Sequence, residues 1–450
     1  MNATTPQAAI AVNRFGLGAK GDELAQANAN PKAWLKQQLQ PIKLSNSLYT
    51  SDYILTELAK YGEARRQAKK SKNAEAEFDK TNKERGKFLQ NSYRGLSTDT
   101  FVAGLNSNNS VSWRLLDFFS NHFSVSASGP QMTAIASTLE REAIAPNLLG
   151  NFEDMLLAVT KHPAMIVYLN NERSFGPNSR IGKKGRGLNE NLAREILELH
   201  TLGVDGGYQQ QDVIELAKGI TGWSIANPRK EDTVGFMYRS WGKEPGDRVL
   251  LGKAYKQEGM AQGEAMLKDL ANHPKTANYV CSKLVKHFIS DKPSPDLVNI
   301  LVATWQKSGG NIKAVMNAMI DSDLAWQAQK QKFKTPREFV MSSLRAVGKK
   351  NIKPKELFFT LNTFGQQPMQ AGSPAGYSDE QQDWDGANAL MSKIDWVSLL
   401  ARKSKANAEK VMQQTLNLKP SEHTYKSVVR AESRTQALAL LLLSPEFLRR

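Results

Sequence analysis

Apolar residues recur every three to four positions along most of the chain, the spacing that gathers them on one face of an α-helix. That rhythm predicts helices at 8–15, from Asp22, and at 31–39, where Pro31 suits a first turn and Pro41 stops the run. It continues at 111–122, 132–145, 151–161, 189–202, 211–220, 259–272, 276–289, 294–308, 311–319, 336–347, 354–363, 386–401 and 433–443. The rhythm breaks at 232–255. There Val234–Tyr238 and Arg248–Leu251 flank Pro245-Gly246, the signature of a small β-hairpin. No fixed-period repeat and no linker divides the chain. The expectation is an all-α protein, one large multi-helix domain over 1–450 with that hairpin.

Two segments stand apart from the core pattern. Residues 50–90 mix Arg65, Arg66, Lys69, Lys80 and Arg85 with Glu63, Glu75, Asp79 and Glu84. Pairs such as Glu63/Arg66 and Asp79/Lys83 have helical spacing, so this stretch reads as a charged helical protrusion. Residues 367–385 form a Gly/Pro/Asp/Gln-rich irregular loop carrying Trp384. A long loop of that kind inside a compact domain is often functional.

Composition changes the picture little. The 450 residues are 40% hydrophobic and 23% charged, ordinary for a globular protein. The longest apolar run, Ala437–Leu443, falls far short of the roughly 20 residues that span a bilayer. A net charge of +16 favours polyanionic partners or a lysine-rich solvated surface. Nucleic acid is disfavoured, because zinc-finger spacing, aromatic-interleaved basic strands and phosphate-binding glycine loops are all missing from the sequence. Cys281 is the only cysteine and sits in an apolar helical pattern, which excludes an internal disulfide and a thiolate cluster. The first residues carry neither the charged nor the apolar part of a signal peptide, which fits a cytoplasmic protein or one whose signal was removed.

The most informative segment is Gly187–Gly203. On a 100° wheel Asn191, Glu195 and Glu198 fall within about 60° of one another. Arg194 borders them, with Glu198 in reach at i+4. Leu192, Ile196, Leu197 and Leu199 lie opposite, and His200 joins them. The string Glu-x-x-Glu-x-His therefore does not make one metal site, and His200 reads as buried and hydrogen-bonded. The polar stripe is either a solvated face or a site, and Asn189 is either a helix cap or part of that site.

The stretch Asn189-Glu-Asn-x-Ala-Arg-Glu-x-x-Glu-Leu-x-Thr-Leu-Gly203 resembles the signature of a bacterial family known only as domain of unknown function 1800. The resemblance extends through Arg14-Phe-Gly-Leu-Gly18, Asn121-His-Phe123, His162–Leu169, Gly207-Tyr208, Asp212-Val213, Thr221-Gly-Trp223, Gly365-Gln366 and Leu443–Phe447, so it covers nearly the whole chain. It implies a buried or cleft-lining role for the polar stripe: Glu195 and Glu198 as general acid and base, His122 opposite them as partner or ligand, and Asn189, Asn191, Arg194 and Trp223 holding substrate. His122 has a second reading as a cation at a helix C-terminus, and Trp223 one as core. His with carboxylates would suit a divalent Zn, Mn or Fe ion. Asn147, and Glu244–Asp247, depart from the histidine-bearing pattern of the family.

The resemblance also implies a periplasmic or extracellular protein, with an acidic polysaccharide or a sulfatase-like protein as partner. Two functions follow. One is a hydrolase-like enzyme acting on a glycan polymer, which suits paired carboxylates. The other is an envelope binding or assembly protein in which the same cluster is a structural network.

Overall fold

Prolines and side-chain caps set the helix starts, as the punctuation of the sequence predicts. Pro31, Pro274, Pro295, Pro336 and Pro354 each open a helix, where the missing N–H costs nothing. The helix Pro336–Ala346 adds a full capping box: Thr335 Oγ accepts from the Glu338 N–H while Glu338 Oε2 accepts from Thr335 N at 3.0 Å. The computed structural model describes residues 5–45, 47–70, 74–327 and 332–450. Helices dominate it, and no described helix is long and apolar enough to cross a membrane.

The β structure near 232–255 is two hairpins rather than one. Strand β1 (Trp223–Ile225) pairs antiparallel with β2 (Phe236–Tyr238), and β3 (Arg248–Leu250) with β4 (Lys253–Tyr255). The two runs noted in the sequence thus find separate partners. A tight turn at Leu251-Gly252, both with positive φ, folds β3 onto its immediate neighbour.

In the charged stretch the helices Ser51–Ala68 and Ala74–Asn106 pack against each other as a helical hairpin. The second helix runs 33 residues and changes character midway. Its first half is solvated; from Leu89 onward Tyr93, Leu96, Phe101 and Leu105 enter the core. One contiguous apolar core extends from Ala8 to Leu448, with Phe119, Phe123, Phe152 and Trp305 in ring contact near its middle.

Buried arginines tie distant parts of the chain to this core. Arg114 reaches the Gly16 carbonyl at 2.6 Å, and Arg345 the Gly18 carbonyl at 2.8 Å. Arg345 Nη2 also donates to both carboxylate oxygens of Glu23. Gly18 has φ +87°, and a Cβ there would lie 2.7 Å from that of Ser342, so the Arg14–Gly18 stretch needs glycine to come this close. Arg450 spans from Glu338 to the carbonyls of His287 and Phe288. Glu338 is the meeting point: it also binds Arg114, and the two guanidinium groups hold its carboxyl far below the usual range against the cost of burial.

Removing that carboxylate leaves two buried cations uncompensated. Glu338→Ala is expected to cost about 3–5 kcal/mol of unfolding free energy. Urea denaturation measures it; a loss comparable to that of the surface change Glu63→Ala would contradict the assignment.

Candidate functional site

The Gly187–Gly203 segment begins as predicted and then leaves the α-helical path. Asn191–Glu195 is α-helical, but Ile196–Thr201 is a π-helix, with Thr201 Oγ donating to Ile196 O at 2.6 Å. A π-turn holds more residues than an α-turn, so a 100° wheel loses phase at Ile196. The expected Arg194–Glu198 pair does not form. Arg194 turns back to Glu190 at 3.1 Å and Gln210 at 2.9 Å. Glu198 instead lies by Tyr208 and Tyr279; burial and this carboxylate push both phenols up, Tyr279 to about 12. Glu195 is half-buried, and burial and Glu198 raise its carboxyl against the pull of Arg194.

Other members of the predicted site are structural. Asn189 donates to the carbonyls of Leu169 and Asn170 and accepts from the Asn191 N–H, which makes it a brace at the helix start. Asn191 itself is exposed. Trp223 is fully enclosed, edge-on to Phe236 and under the Lys161 ammonium at 5.5 Å, so it is core and not a cleft wall. His200 is buried as the wheel placed it, but the expected hydrogen bond is not made at its Nδ1, which has no partner; burial and Lys283 lower it to about 3, and it is neutral.

His122 does not use its nitrogens on the two glutamates. Nε2 meets the His200 carbonyl at 3.1 Å, and Nδ1 meets Lys283 Nζ at 3.2 Å. Burial first, then Lys283 and His200, hold it far below the usual histidine value, so it donates through Nε2 and accepts the lysine proton at Nδ1. Phe118, Phe119, Phe123 and Phe152 surround the ring. The metal set of His122 with Glu195 and Glu198 is therefore not assembled. Among the described residues no three His, Cys, Asp or Glu side chains converge as one.

The residue before it, Asn121, leads to a cavity the sequence did not reveal. Its side-chain amide bonds the Tyr377 backbone twice, N–H and C=O, each at 2.8 Å. Gly376 has φ +84°, and a Cβ there would collide with Asn121. This clamp, with Tyr377 Oη on Gln367 O and Trp384 Nε1 on Ser378 O, folds the loop predicted at 367–385 over a space of about 100 Å³. The opposite walls carry Asp117, Glu140, His287, Arg337 and Glu338.

His287 is the distinctive group in this cavity. Its Nδ1 meets Asp379 at 3.0 Å, and its Nε2 is buried with no hydrogen-bond partner. Burial would raise Asp379, but His287, by charge and hydrogen bond, and Lys332 bring it down to about 2. When the imidazole is neutral, an ionised Asp379 accepting from Nδ1–H leaves the Nε2 lone pair bare, the tautomer a general base needs. Glu140 is buried in the same wall. Burial drives its carboxyl up, opposed by Arg337, so it keeps its proton to higher pH than an ordinary glutamate. Arg337 is held in turn by Asp117 at 2.9 Å.

The helix Pro274–Phe288 joins this cavity to the predicted site. Tyr279, Lys283 and His287 are spaced four apart on one face. Tyr279 feels the charge of Glu198, while Lys283 and His287 contact His122 and Asp379 directly. Lys283 is lowered to about 8 by burial, with Asp379 opposing and Lys286 adding to the shift. The sequence offered one signal for this site, the loop itself; His287 and Asp379 are 92 residues apart and share no motif.

A depressed carboxyl stabilises the fold above its unfolded pKa and loses that contribution as pH falls through the folded value. For Asp379 the window runs from about 3.9, the unperturbed aspartate value, to about 2. Tm followed across it should fall more steeply in the native chain than in Asp379→Asn; parallel curves would contradict the dyad.

Comparison with curated proteins and with solved structures returned no match. The family described as Protein of unknown function (DUF1800) matches residues 10–449. That match takes in the brace, the π-turn and every wall of the cavity, and on its extent the chain belongs to that family.

Proposed function

We propose that the protein is a hydrolase-like enzyme whose chemistry takes place in the cavity beneath the 367–385 loop. The observation that carries this is the bare Nε2 of His287, fixed by Asp379 and facing no protein partner. A buried basic nitrogen left without a hydrogen bond costs about 1–3 kcal/mol, so it points to a ligand or water in use. In the reaction, Nε2 takes a proton from water as the water oxygen bonds to the substrate's electrophilic centre. The bond to the leaving oxygen breaks as Glu140 delivers its proton there, and solvent returns the proton from His287 to Glu140. Arg337 supplies positive charge in the same wall.

The cavity admits a terminal unit or a substituent and not a length of polymer. The substrate class we propose is an acidic polysaccharide of the bacterial envelope or surroundings, cut at an end or a side group; a sulfatase-like partner fits the same setting. Asn189 and His122 spend their polar atoms on neighbouring backbone and on Lys283, and the part-exposed Arg194 pairs with Glu190; this supports reading the Gly187–Gly203 cluster as a structural network beside the chemistry. If the cavity proves inert, that network favours an envelope binding or assembly role.

His287→Ala and Glu140→Gln should each lower kcat by about 10²–10⁴-fold on a panel of acetylated, sulfated and unsubstituted oligosaccharides. Glu195→Gln and Glu198→Gln should retain most turnover. Folded His287→Ala and Glu140→Gln proteins with native turnover would overturn the proposal. Because Glu140 acts as the acid, activity should decline as pH rises through its raised pKa, and Glu140→Gln should remove that limb.

A further inference from the structure

A second groove lies between the helical hairpin and the segment after β1. It encloses about 590 Å³ and shares no residue with the cavity. Arg65, Arg66 and Lys69 face it from the first hairpin helix, Arg85 from the second and Arg229 from the post-β1 segment. Of these five cations only Arg66 has a carboxylate within 4 Å among the described residues, Glu63 at 3.5 Å. Arg65 Nε is buried without a hydrogen-bond partner. Arg65 and Arg85 stand close enough that burial and the neighbouring guanidinium together lower Arg85. Like charges gathered without counter-charge store repulsion that a bound anion would relieve.

The groove is not uniformly polar. Leu55, Leu58, Ile225 and Pro228 line it with apolar surface, and the amides of Gln131 and Asn227 lie among them. Gly62 opens the middle of the first helix: a Cβ there would sit 3.5 Å from the Arg229 guanidinium. An interior helical glycine costs about 1 kcal/mol relative to alanine, and here it gives the groove its depth. The one aromatic wall, Phe78, already carries Arg65 at 5.1 Å and Lys69 at 5.2 Å. Two cations thus already compete for the ring surface on which a nucleobase would stack, and base stacking is what single-stranded nucleic acid sites are built on.

We propose that this groove binds the sulfate or phosphate ester groups of a sugar, with Arg65, Arg85 and Arg229 on the oxyanion and the apolar surface under the ring. Guanidinium forks match tetrahedral oxyanions by paired hydrogen bonds. A sugar ring supplies both the C–H face for the apolar patch and the hydroxyls for the amides. The site stands apart from the acid–base cavity, and its failure would leave the reading of that cavity untouched.

Calorimetric titration of the full chain at low salt tests it, with a sulfated disaccharide, a sugar phosphate, the unsubstituted disaccharide, inorganic sulfate and a single-stranded oligodeoxynucleotide as probes. One or both esters should bind at least about tenfold tighter than inorganic sulfate, and weaken as salt rises; whichever ester binds tighter identifies the source of the oxyanion. Arg65→Gln, Arg85→Gln and Arg229→Gln should each weaken binding about tenfold. Gly62→Leu removes no charge and suits a helix, yet should block the groove. Equal binding of the unsubstituted sugar, tighter binding of the oligonucleotide, or ester binding that survives both the arginine changes and Gly62→Leu would overturn the proposal.

Discussion

Glu338 is the point on which the rest of the structure depends. A carboxylate buried in a protein interior is tolerated only when paired and hydrogen-bonded. Here Arg114 and Arg450 supply the pairing and the Thr335 N–H the hydrogen bond. The same residue caps the helix Pro336–Ala346. Satisfying one charge therefore fixes a helix start, the helix Ser110–His122 through Arg114, and the last residue of the chain through Arg450. Arg450 then holds the carbonyl of His287, and this sets the ring that faces the cavity. The cavity inherits its geometry from the charge cluster beneath it.

Much of this was readable in the chain. Helical periodicity, proline starts and the solvated hairpin depend on local rules, and the structure follows them. The wheel placed His200 in the core, and it is buried there even though its own turn, Ile196–Thr201, is π-helical. The same wheel failed for the Arg194–Glu198 pair, because a π-turn is a tertiary accommodation with no periodic signal. His122 was drawn toward the glutamates by residue type, yet a neutral imidazole between a carbonyl and a lysine satisfies burial better than one between two carboxylates. His287 and Asp379 were beyond reach for a different reason. Nothing local marks a histidine near a helix end as half of a dyad until a loop 92 residues away closes over it. The loop itself was legible, and the structure folds it over the cavity.

Among the described residues three π-helical turns, Ala11–Phe15, Glu140–Ile144 and Ile196–Thr201, recur where polar side chains must enter the core. The first places Asn13 and Arg14, the second Glu140 and the third His200, all buried. Wide turns of this kind are uncommon and gather at functional positions. In this chain they share one physical task, giving a charged or polar group room inside an apolar bundle.

The helix Pro274–Phe288 acts as a camshaft. Its side-chain tips travel at a radius of roughly 5–6 Å, so a rotation of about 10° about the axis sweeps them by about 1 Å. Tyr279, Lys283 and His287 sit on one face and must turn together. A misplacement of about 1 Å at a reacting group is worth as much as a hundredfold in rate. Distance along the helix thus gives the Glu195/Glu198 cluster no isolation from the cavity: whatever shifts the angle at one end changes the timing at the other.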